Sequence, residues 1–108
     1  MRWQDYLSEP RPPFDYWRND CSRWVDRYVQ ARGWGSPMQA IGVNYRTERA
    51  ALRRIAEGGS LVALWLRGMA AVGVQTCATE EMQPGDIGVV ASETQCGTGQ
   101  AAGIWTGE

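Results

Sequence analysis

The sequence contains no histidine and no lysine. The first absence removes the side chain that most often moves protons near neutral pH. The second removes a Schiff-base amine and the lysine of a phosphate-binding P-loop. All 11 basic residues are arginine, set against 12 acids for a net charge of −1. That balance gives no global electrostatic case for nucleic acid or an anionic membrane as partner. No apolar window of about 18 residues exists, so no membrane span is expected. The opening Met1–Leu7 segment lacks the apolar run of a signal peptide. Cysteine is sparse: Cys21, Cys77 and Cys96 leave an odd thiol under any single pairing, and none stands at CxxC spacing. A zinc site would need a fourth ligand that no histidine supplies. No metal and no cofactor is expected. A Cys77–Cys96 disulfide requires an oxidising compartment; without a secretion signal, reduced thiols are expected.

What is present suits one domain over residues 1–108, with 44% hydrophobic and 21% charged residues. The most informative stretch is Tyr16–Val29. A polar loop, Arg18-Asn19-Asp20, runs into apolar positions at Cys21, Trp24, Val25, Tyr28 and Val29. Their spacing of three and four predicts a helix to about Ala31 or Arg32, closed by Gly33 in a left-handed cap. Asn19 or Asp20 caps its first turn. Cys21 then lies at the positive end of the helix dipole, which favours thiolate. Asp20, Arg23, Asp26, Arg27 and Gln30 fill the other face, read as solvated and laced with weak ion pairs.

Around that helix, Trp3–Leu7 fits one or two helical turns, and Glu9–Pro13 is extended. Phe14, Tyr16 and Trp17 are expected to pack against the Cys21 helix. Gly33–Pro37 reads as a loop, while 38–43 fits neither template. Thr47 caps a helix to Glu57, ended by Gly58-Gly59. Ser60 caps another from Leu61 to about Gly68, apolar on most sides and therefore read as a core helix. Gly73 is a break, and 74–78 has no decisive pattern. Gln83-Pro84-Gly85-Asp86 is a turn. Ile87–Ala91 is a strand, 92–99 a hairpin loop, and 101–106 the returning strand. Helices first and strands last give an α+β class, with N-terminal helices packed on a small C-terminal antiparallel sheet.

Three short motifs in this order resemble the NlpC-type cell-wall peptidases, small papain-like cysteine hydrolases. Asp20-Cys21-Ser22 matches the triplet that carries that family's nucleophile. Pro84-Gly85-Asp86 matches the turn opening its first core strand. Ala101-Ala102-Gly103-Ile104-Trp105-Thr106-Gly107 is similar to the strand that carries its catalytic base. The small size and the Tyr45-Arg46-Thr47-Glu48 segment resemble a divergent branch encoded among phage tail genes. The resemblance implies a papain-like core with Cys21 at the nucleophile position and Gly103 within the strand motif. It also implies a histidine where Ala101 stands. A third, histidine-orienting position would fall beyond Glu108, so the chain is either truncated or lacks it.

A thiol has a pKa of about 8.5, and a helix dipole contributes about 0.3–1 kcal/mol, less than one pKa unit. Nor does a dipole protonate a leaving amine, as the histidine does. Gln100 is no base, and a carboxylate from Asp20, Asp86 or Glu93 would raise the thiol pKa. Cys21 is therefore expected to be a half-buried cysteine at a vestigial position rather than a working nucleophile. Pro84-Gly85-Asp86 also has a plain reading as an ordinary β-turn. Of the six tryptophans, Trp3, Trp17, Trp24, Trp65 and Trp105 are mostly expected in the core. Trp34, between two glycines, is expected to be exposed or at an interface. Arg46, Arg49, Arg53 and Arg54 form either a basic patch or, the favoured reading, a solvated helix face.

The expected function is that of a catalytically inactive NlpC-like module in a phage tail, at the tip or distal end. It would be made in the host cytoplasm, carried in the virion and bound to other tail proteins. Contact with peptidoglycan fits the same resemblance. The alternative is a cysteine peptidase or amidase on peptidoglycan peptides, its base supplied by a partner chain or by residues beyond Glu108. A small regulatory or immunity-type binding protein is the third class.

Overall fold

The helix beginning at Cys21 fixes the positions of most other elements. A computed structural model describes residues 1–91 and 100–107. In it, α1 (Trp3–Ser8) precedes α2 (Cys21–Ala31), α3 (Pro37–Ala40), α4 (Glu48–Glu57) and α5 (Leu61–Ala71). A 3-10 turn at Thr79–Glu81 leads to β1 (Ile87–Ala91) and β2 (Gln100–Ile104). The described residues thus form a compact α+β fold with five helices and one two-stranded antiparallel sheet, in register from Ile87↔Ile104 to Ala91↔Gln100. The expected 92–99 hairpin loop lies outside the described residues.

Each longer helix starts where a side chain can satisfy its free N–H groups. Asp20, not Asn19, caps α2 by accepting from Arg23 N, Thr47 caps α4 through Ala50 N, and Ser60 caps α5 through Ala63 N. Gly33, at φ +94°, follows the end of α2. Residues 38–43, undecided in sequence, divide into most of α3 and a following turn. Ser36 accepts from Gln39 N there, and Pro37 takes the first-turn position, where its missing N–H costs nothing.

The core forms where α2, α5 and β2 meet: Val25, Val29, Leu61, Trp65 and Ala102, with Trp24, Ile55, Met69, Val72, Ile87 and Val89 packed around it. Val25 and Val29 are fully buried, a stabilisation of about 1.5–3 kcal/mol each. Tyr6 of α1 stacks at 5.3 Å on Trp24 and at 5.2 Å on Tyr28, and its hydroxyl donates to Trp24 O.

Several expectations change. Helix α5 runs past Gly68 to Ala71, because Gly68 faces Pro37 rather than ending the helix. Nor is α5 buried all round, since Val62 and Leu66 are exposed. Strand β2 ends at Ile104; beyond it Trp105 N donates to Asp86 O and Trp105 O accepts from Gly85 N. Phe14 and Trp17 are 51% and 45% exposed instead of packed on α2. The polar face of α2 is not wholly solvated, because Asp20 and Asp26 are buried.

Candidate functional site

The loop before α2 is fixed by its own polar groups. Asp15 and Asn19 exchange backbone hydrogen bonds of 3.0 and 2.8 Å. The Asp15 carboxylate accepts from Trp17 N at 2.7 Å and Arg18 N at 3.3 Å. Asn19 Nδ2 donates to Pro12 O, and Arg27 reaches back to Asn19 Oδ1 and Arg18 O. This loop delivers Cys21 as the first residue of α2, half-buried and at the positive end of the helix.

Beside it lies a buried polar network. Asp20 Oδ1 accepts from Arg23 N at 2.8 Å. Asp20 Oδ2 accepts a hydrogen bond from the Tyr45 hydroxyl and faces Arg23 Nη1 at 3.8 Å. The Arg23 guanidinium stacks 4.2 Å from the Tyr45 ring and donates to Asn44 Oδ1, Tyr16 O and Tyr45 O. Burial pushes the Tyr45 hydroxyl well above its ordinary pKa of 10.0. The Asp20 carboxylate and Cys21 push the same way, and Arg23 opposes them. Tyr45 is therefore a hydrogen-bond donor here, not a base. Asp20 has both oxygens engaged, so it is a cap and an acceptor.

A second buried carboxylate joins α2 to α3. Asp26 accepts from Ser36 Oγ at 2.8 Å, Met38 N at 2.9 Å and Gln30 Nε2 at 2.9 Å. Buried carboxylates need such partners. Sequence reasoning missed the roles of Arg23, Asp26 and Tyr45. Only the run of short polar residues around Ser36 and Asn44 hints at loops that return to α2.

The remaining motif residues are placed as follows. Ser22 is buried and lines an apolar cleft. Ala101 is buried in β2, paired with Val90, on a strand that packs against α2. Gly103 pairs with Gly88. Pro84-Gly85-Asp86 docks elsewhere on α2: Gly85 O accepts from the Tyr28 hydroxyl at 2.6 Å, about two helical turns past Cys21. Gly85 has φ +95°, and an added Cβ would stand 2.7 Å from the Trp3 ring. Asp86 Oδ2 accepts from Gln83 N and lies 4.0 Å from the exposed Cys77 sulfur. The expected choice between a thiol and a disulfide with Cys96 lies outside the described residues. Trp34 is exposed.

Two clefts flank α2. One, walled by Pro37, Met38, Ile41, Leu61, Leu64 and Trp65, offers about 30 Å³ to water-sized groups. That is room for one or two waters. The other, about 380 Å³, lies along Arg23, Asp26, Arg27, Gln39 and Asn44 and also touches Met38 and Val43. Cys21 lines neither of them. Among the described residues no three Cys, Asp or Glu side chains converge to hold a metal ion, and no helix is long and apolar enough to cross a membrane.

Residues 1–108 match a protein family described as a domain of unknown function, DUF6950, and the chain belongs to that family. No curated protein and no solved structure matches it.

Proposed function

We propose that this DUF6950 member is a catalytically inactive NlpC-like domain, with a papain-like core, that serves as a structural and interaction component of a phage tail. The observation that carries the inactive reading is a helix-start cysteine in a chain without histidine. The chain has no histidine, and Ala101 stands where the resembled family has one. The neighbouring carboxylate, Asp20, is already committed to Arg23 N and the Tyr45 hydroxyl. Acyl transfer by a thiol needs a base and later an acid, and the histidine that fills both roles in the resembled family is absent from the sequence. The tail setting, at the tip or distal end, rests on the small size of the chain and on the resemblance of Tyr45–Glu48. Virion localisation, tail-protein partners and peptidoglycan contact rest on the same ground.

The test is reactivity. Purified protein is expected to leave muropeptides uncut, and iodoacetamide at pH 6–7 is expected to label Cys21 no faster than an ordinary thiol. The variant Cys21→Ala is expected to fold and assemble normally. Muropeptide turnover that disappears in Cys21→Ala would overturn the reading, as would loss of assembly with folding intact. One feature favours the alternative, a peptidase or amidase completed by a partner's base: Cys21 sits at the capped, positive end of α2. Labelling specific to Cys21 at pH 6–7 would mark that case.

A further inference from the structure

We infer that Trp17, Arg18 and Arg46 form a docking site for an acidic segment of a partner protein. The inference deepens the interaction-module reading and rests on it only for the setting. Trp17 is about half exposed, although large aromatics usually contribute to a core. Exposed aromatic and arginine side chains in one patch are the composition of interface centres. Two guanidinium carbons lie over the Trp17 ring, that of Arg18 at 5.0 Å and that of Arg46 at 4.8 Å from its centroid. Stacking restricts these long side chains before any partner arrives, which lowers the ordering cost of binding.

Among the described residues, the N–H edges of both groups are open. Arg23, Arg27, Arg32 and Arg54 all donate to oxygen atoms of the chain. Among the described residues, the Arg18 and Arg46 guanidiniums have only their ring contacts. Of the nearby acids, Asp15 accepts from Trp17 N and Arg18 N, and Asp20 from Arg23 N and the Tyr45 hydroxyl, while Glu48, two residues from Arg46, is exposed. Both guanidiniums thus keep donors for an incoming carboxylate in a chain of net charge −1. The backbone around Trp17 and Arg18 is pinned by the Asp15–Asn19 pair and by Arg27 donating to Arg18 O at 3.1 Å.

A guanidinium presents paired N–H donors that match a carboxylate in bidentate fashion. Two such groups flanking an aromatic surface fit a segment carrying acidic and apolar side chains. Nucleic acid fits less well, because the net charge offers no long-range attraction.

The test uses the intact chain with nitrogen-15-labelled tryptophan and a blocked pentaglutamate peptide as probe. Blocked pentaglutamine and an oligo-dT decamer are controls. The Trp17 indole signal is assigned by its loss in Trp17→Phe. Pentaglutamate is expected to shift that signal and leave Trp34 unmoved, and to bind about tenfold more weakly to Arg18→Glu or Arg46→Glu. Arg46→Lys, which keeps the charge without the planar fork, is expected to retain part of the affinity. The other indole signals report whether each variant is folded. No shift at Trp17, an equal response to pentaglutamine, or unchanged binding by the two glutamate variants would overturn the inference. Tighter binding of the dT decamer would overturn it in favour of a nucleic-acid surface. Muropeptide turnover would end the inactive reading and leave this result untouched, so the two failures are distinguishable.

Discussion

A carboxylate taken out of water is costly unless its oxygens are hydrogen-bonded, and α2 buries two of them. Asp20 meets that requirement with Arg23 N and the Tyr45 hydroxyl, and Asp26 with Ser36, Met38 N and Gln30. The Asp20 cap was legible in the sequence because its N–H partner is three residues away. Tyr45 was not, because its bond joins residues 25 apart and nothing in local spacing encodes it. Asp26 was misread as solvated for the same reason. The Tyr45 proton yields a pH prediction. The unfolded chain releases that proton near the ordinary value of 10.0, whereas burial holds it in the folded chain to higher pH. Above pH 10 the folded state binds more protons, so stability falls as pH rises; below pH 10 this group contributes no slope. Buried Tyr6, also raised, adds a loss of the same sign. Urea unfolding at pH 9 and pH 11 is expected to show a loss about 1 kcal/mol smaller in Tyr45→Phe than in the parent chain. Equal losses would mean that Tyr45 does not hold its proton on folding.

At the scale of elements, caps and glycines marked most boundaries, and α5 shows where that logic stops. The sequence pattern ends this helix at about Gly68, with the break at Gly73, yet α5 continues through Gly68 to Ala71. A Cβ at position 68 would stand 2.9 Å from Pro37 Cβ and 3.1 Å from Pro37 O. The glycine is there for the close approach of α3 to α5, a tertiary cause invisible to periodicity. Two effects compete in Gly68→Ala. Helix propensity favours alanine by about 1 kcal/mol, whereas overpacking against a buried, rigid proline costs about 1–3 kcal/mol. The clash is with ring and backbone rather than with a flexible tip, so net destabilisation is expected in urea unfolding. A stabilised variant would show that α3 and α5 do not approach this closely. The strands were read correctly in kind, but β2 ends at Ile104 because Trp105 turns to bond the Gly85-Asp86 segment.

For the whole molecule, helices-then-strands order was sufficient to give the α+β class. The exposed surface of α5 was not legible, because an apolar residue reads the same whether it faces the core or solvent. Val62 and Leu66 face outward, as do Phe14 and Trp17. The described residues have a radius of gyration of 13.1 Å, near the value of about 13 Å for a compact domain of 100 residues. Distant parts of the chain are tied together: Trp3 covers Gly85, Tyr28 bonds Gly85 O, and Ala102 completes the cluster around Val25 and Val29. Helix content by far-UV circular dichroism and tryptophan fluorescence are therefore expected to change at the same urea concentration. Separate midpoints would show that α1 and α2 unfold apart from the sheet. The late position of Ala102 has a consequence during biosynthesis. The apolar stripe of α2 leaves the ribosome early, but the strand that covers it follows only after several seconds of translation. For that interval the nascent chain has no lid for its own centre, and a chaperone or a neighbouring nascent copy meets that stripe before β2 does.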